Sequence, residues 1–159
     1  MAGLGQYLDA AARAVQAQDG STLAALLSDA NDDAVAAVGD ALRTNRALSL
    51  GTLCEQKVPA PFDEIFAHHC QCLAAMGEGR HEDAFTAMTA SVQAFVKDFR
   101  NQETAWSLDA LVRLVRNCRN LADKADEASV AAGKKASKLH DAGALLMLVY
   151  RNTTNTSVK

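Results

Sequence analysis

The densest chemistry in the chain is the string His68-His69-Cys70-Gln71-Cys72. Imidazole and thiolate are zinc ligands, and residues four apart on a helix are neighbours. His68 and Cys72 therefore offer two corners of a tetrahedral site. A structural zinc site needs four ligands, and the other candidates, Cys54, His81, Cys118 and His140, are scattered singly. A thiol nucleophile with a histidine base is the second chemistry these residues allow, but sequence order alone does not bring such a pair together. His69 and Cys72 also fall on or beside an apolar helical stripe, where a hydrogen-bonded core histidine and a small buried cysteine are ordinary. The structural reading is preferred, with no metal and no cofactor expected.

No other catalytic signature competes. The chain has no G-x-S-x-G elbow, P-loop, dinucleotide glycine fingerprint or H-E-x-x-H. The paired acids Asp63-Glu64 and Glu82-Asp83 sit where first helical turns are expected, and the helix dipole accounts for them there. An enzyme is not expected.

The elements that must position these residues read as helices almost throughout. Only Pro59 and Pro61 interrupt the pattern, and 32 of the 159 residues are Ala, the best helix former. A first stripe holds Leu4, Leu8, Ala11, Ala12 and Val15, ending near Asp19-Gly20. A short helix follows over Ser21 to Ser28 with Ser21 as its cap. The next starts near Asn31, with Val35, Val38 and Leu42 inward. From Asn45 to Pro59 the pattern weakens to a short helix or loop. A clear helix is predicted from Pro61, with Phe62, Ile65, Phe66, His69, Leu73 and Met76 on one face and Gly77 or Gly79 at its end. The helix from His81 to Phe99 has a bulky face (Phe85, Met88, Val92, Phe95, Phe99) and a small one (Ala87, Ser91, Ala94), as a helix packed on two sides requires. A third runs from about Glu103 to Ala125, a polar link from Asp126 to Lys135, and a last helix from Lys135 to Asn152.

The predicted fold is therefore all-α, a right-handed array of antiparallel helix pairs of the tetratricopeptide or α-solenoid kind. Residues 1–58 form weakly patterned N-terminal helices, 59–152 the repeat-like region, and 153–159 a polar tail. The run Ala144 to Tyr150 is apolar all round its helix, so a partner or further element is expected to cover part of it. Candidate partner-binding residues are Leu145, Leu148 and Val149, with Lys134 and Lys135 in the basic link. The wider basic set, Arg113, Arg116, Arg119, Lys124 and Lys138, lacks interleaved aromatics and reads as a solvated face. Trp106 is expected to anchor a helix start in the core.

Composition sets the outer bounds. A net charge of −3 argues against a protein that coats nucleic acid. No apolar run reaches the length of a membrane span, and the first residues lack a basic leader and apolar core, so no secretory signal or membrane partner is expected. The four cysteines read as reduced thiols.

From Pro61 onward the chain resembles a known family. Ala60-Pro61-Phe62-Asp63-Glu64-Ile65-Phe66-Ala67-His68-His69-Cys70-Gln71-Cys72 is similar to a P-P-Y-D-E-M-F-A-x-H-x-x-C segment of PCI-domain subunits of the Thp type. Gly77, Ala84-Phe85, Val92-Gln93-Ala94-Phe95, Phe99, Trp106 and Leu108 follow in matching order. Leu121-Ala122-Asp123-Lys124-Ala125-Asp126 resembles the family's F-A-N-N-A-D, and Leu145-Leu146-Met147 and Tyr150-Arg151 match later positions. The likeness covers about residues 60–152. Before Pro59 it reduces to Gln6-Tyr7-Leu8 and Asp19-Gly20.

The resemblance implies a scaffold subunit of the nuclear transcription-and-mRNA-export complex, acting at the nuclear pore. It would pair with a second PCI-domain subunit and reside in the nucleus, with the cytoplasm also open. The family's winged helix, its small acidic subunit and its RNA contacts belong to later segments and have no positions here to be carried onto. Two alternatives stand beside it: a signalosome-associated PCI subunit, or a stand-alone helical interaction module.

Overall fold

The computed structural model describes residues 3–28, 32–44, 50–101 and 108–157. Among these every regular element is helical: α1 (Leu4–Gln16), α2 (Gly20–Ser28), α3 (Asp32–Thr44), α4 (Leu50–Lys57), α5 (Phe62–Gly77), α6 (His81–Asn101), α7 (Leu108–Ala131) and α8 (Lys138–Ser157). The all-α helical-repeat expectation holds.

α5 is the centre of the core. Phe62, Ile65, Phe66, His69 and Leu73 are buried, as the stripe requires, and Cys70 and Cys72 are buried beside them. α6 lies along α5 and buries Phe85, Met88, Val92 and Phe95. Its small face lets the two backbones approach, and the Ser91 hydroxyl donates to the Ile65 carbonyl at 3.1 Å. That bond satisfies a hydroxyl that would otherwise be buried without a partner. α7 packs on α6, and α8 packs on both α6 and α7.

The N-terminal helices do not simply lead the stack. α3 and α4 cover α5, and α2 reaches across to α7, which lies more than eighty residues further along the chain. Fully buried Leu8, Leu23, Leu27 and Val38 join this part to the same core. The residues 45–49 and Trp106 lie outside the described residues.

Two caps differ from the sequence expectation for a physical reason. α2 is started by Asp19, not Ser21: one Asp19 oxygen accepts the Thr22 amide at 3.1 Å and the other its hydroxyl at 2.6 Å. The Thr22 hydroxyl above all holds the Asp19 carboxyl below the usual range. α7 continues past Ala125 to Ala131, because Asp126, expected in the link, is buried and serves as the cap of α8. Its Oδ1 accepts the amides of Ser137 (3.0 Å) and Lys138 (2.8 Å), and Oδ2 that of Leu139 (2.8 Å). These are amides a helix start leaves open. Burial alone would raise the Asp126 pKa, yet the three amides and the Lys138 charge hold it below the usual value. α8 then starts at Lys138 and runs beyond Asn152 to Ser157.

One carboxylate thus ties α7 to the start of α8. Asp126→Ala is expected to loosen α8 selectively, raising amide exchange in its first turns about tenfold, the scale of a lost cap. Amides of α5 and α6 should be unchanged. Unaltered exchange in α8 would show that the cap does not hold it.

Candidate interaction surface

The His/Cys string is split by the helix that carries it. His68 is part-exposed and lies beside Gln71 (3.4 Å) and Glu64 (3.8 Å) on the outer side of α5. His69, Cys70 and Cys72 are wholly buried. Among the described residues no three His, Cys, Asp or Glu side chains gather where a metal could be held. Burial pushes the thiols up, Cys54 to about 11 and Cys72 to about 12, with Cys70 and Cys118 also raised. Protonated, enclosed thiols are poor nucleophiles and poor metal ligands.

His69 is the unexpected member. It stacks on the Tyr7 ring (centroids 6.2 Å) and meets the edge of Phe66 (6.4 Å). Neither ring nitrogen makes a well-formed hydrogen bond, so this is not the fully satisfied core histidine the sequence suggested. The nearby Leu26 carbonyl accepts the Tyr7 hydroxyl at 2.5 Å. Burial pushes the His69 pKa down to about 4, and the Leu26 carbonyl offsets this only in part.

The surface that stands out is built from α7 and α8. All the large apolar side chains exposed among the described residues lie on these two helices: Val112, Val130, Leu139, Leu146, Met147, Leu148 and Tyr150. The face of α8 needs correction. Leu145 (6% exposed) and Val149 (7%) turn inward with Ala142 and are core residues, not contact residues. They recur at i, i+3 and i+7, and that stripe is the one laid against α6 and α7. Leu148 remains 44% exposed on the far flank.

The outward stripe is instead Leu139, Gly143, Leu146, Met147 and Tyr150, and the sequence reading missed it. Both stripes have helical spacing, so periodicity alone does not choose between them. The tie is broken at Lys138, which shares the phase of Leu145 and Val149. Its ammonium sits 5.7 Å from the Phe85 ring centre and 3.2 Å from Glu82 on α6, fixing that side of α8 inward.

Between the two helices runs a groove of about 260 Å³ with Val115, Cys118, Ala142 and Leu145 lining it beside Leu139 and Leu146. Arg119 is the charged residue on its lining, and Arg116 is exposed one turn away. Lys134 and Lys135 are exposed in the link before α8, as expected, and Lys134 borders a separate groove with Arg80 and Ser129. The arrangement suits contact with another macromolecular surface: a firm helical support, an apolar strip and a cationic margin. No helix among the described residues is long and apolar enough to cross a membrane.

No family model matches the chain, and no solved structure matches it. Among the relatives that match, three align along nearly all of it. Enhanced ethylene response protein 5 of Arabidopsis thaliana is 36% identical over 146 residues, 91% of this chain and 35% of that protein. PCI domain-containing protein 2 is 29% identical in Xenopus laevis and 27% in Danio rerio, each over 93% of this chain and 36% of the relative. The chain spans about one third of the length of these curated relatives. Two of these three relatives carry a PCI domain in their names.

Proposed function

We propose that the chain is a non-catalytic scaffold segment of a PCI-family subunit, working in the nucleus in the complex that couples transcription to mRNA export. The supporting observation is its similarity, along 93% of its residues, to proteins named PCI domain-containing protein 2. In this reading the helical stack is a rigid support, and the outer α7–α8 face with Lys134 and Lys135 carries the protein contacts. A second PCI-domain subunit is the proposed partner. The enclosed, protonated thiols are consistent with a binding role.

Depleting the protein from its own cells and imaging polyadenylated RNA tests the cellular role. Accumulation in the nucleus, reversed by the wild-type chain, is the expected result. Unchanged RNA distribution after full depletion would overturn the export reading.

A further inference from the structure

The charge of the chain is unevenly placed. Residues 108–159 hold nine Lys/Arg and five Asp/Glu, a net of +4, whereas residues 1–107 hold seven and fourteen, a net of −7. The basic part is the part with the exposed apolar stripe. On α8 that stripe runs from Leu139 to Tyr150, flanked by exposed His140 and Arg151 on the same helix and by Arg116 and Arg119 on α7. Asp141 is the one acid on α8.

The acidic part offers a counterpart. An open groove of about 360 Å³ lies between the start of α1 and the outer side of α3, floored by Ala36, Ala37 and Ala41 and edged by Asp33 and Asp40. Arg43 pairs with Asp40, while Asp33 adds a second negative charge to the edge. Its lining on α3 extends from Asp33 to Thr44, eleven residue steps, the same span as Leu139 to Tyr150. At 1.5 Å per residue both strips are about 17 Å long. One is concave, small-sided and acid-edged. The other is bulky, apolar and basic-edged.

We infer that the α7–α8 face of one copy of this chain docks into the α1–α3 groove of a second copy. The large side chains of α8 would enter the alanine floor, and Gly143, with open space where a Cβ would stand, would let the backbones approach. Pairing two α8 faces with each other would bring two basic ends together, so charge favours the head-to-tail arrangement over the symmetric one. Such a contact uses different patches on the two copies and leaves each end free to add another. The inference is independent of the export reading. Where both hold, self-assembly and partner binding compete for one face.

Sedimentation of the full chain across a hundredfold concentration range tests this. The expected result is a mass that rises with concentration and falls back as salt is raised. Two variants locate the contact: Leu146→Glu on the outer stripe and Ala36→Trp in the groove, both at exposed positions and checked for unchanged circular dichroism. Each alone should be monomeric. Mixed in equal amounts they should form a discrete heterodimer, because each retains the surface the other lacks. A wild-type chain that stays monomeric throughout would overturn the inference. So would an Ala36→Trp variant that associates like wild type while Leu146→Glu does not, the signature of α8 pairing with α8.

Discussion

Phe66→Ala is expected to lower stability by about 3–5 kcal/mol, the range for removing a buried phenyl ring. Phe66 is fully buried at the middle of α5 and meets Tyr7 of α1 edge-on, with ring centres 6.0 Å apart, and His69 on its own helix. α5 is covered by α3, α4 and α6, so none of its neighbours can move into the space without leaving another helix. A loss of this size is a large part of the roughly 5–15 kcal/mol that holds a domain together. It corresponds to a melting midpoint lower by about 10 °C. Urea unfolding measures it directly. A loss under about 1 kcal/mol would mean that the α1–α5 junction is not the core described here.

The second large effect is acid sensitivity. His69 is enclosed and neutral, with a folded-state pKa of about 4 against an ordinary value of 6.5. Between those values the unfolded chain holds the extra proton, so stability falls as pH drops. The loss begins near pH 6.5 and reaches about 3 kcal/mol by pH 4. Asp19 and Asp126 act in a different window. Their folded values lie below 3.8, so their contributions persist above that pH and fade only beneath it. His69→Leu removes the titrating ring at similar volume, together with two nitrogens that make no well-formed hydrogen bond. The variant should be as stable as wild type or more so at pH 7. It should also lose most of the slope between pH 6.5 and 4. Equal slopes in the two proteins would assign the acid effect elsewhere.

How much of this was legible in the residues depends on what carries the information. The helices α5 and α6 follow from long, strongly periodic stripes, and Phe66 and Met88 are buried as those stripes require. Periodicity fails where a helix is apolar on every side. In α8 the inward stripe of Ala142, Leu145 and Val149 and the outward stripe of Leu139, Leu146 and Tyr150 are equivalent in sequence. Only the contacts of Lys138 with Phe85 and Glu82 separate them. The cap of α8 was hidden for another reason. Asp126 lies eleven to thirteen residues before the amides it binds, a distance no local capping rule spans. The contact of α2 with α7 is equally non-local. For His69 the stripe placed the ring inward, but its polar surroundings depend on α2, whose Leu26 carbonyl accepts the Tyr7 hydroxyl and only partly serves the ring.

The proposed scaffold role would place the contacts with a PCI-family partner on the outer α7–α8 face. Capture of the tagged full chain from nuclear extract, with bound proteins identified by mass spectrometry, tests it most directly beside the Leu146→Glu variant. A second PCI-domain subunit and export factors are expected with the wild-type chain, and at least a tenfold loss with the folded variant. Absence of any PCI-domain partner, or equal recovery with both proteins, would contradict it.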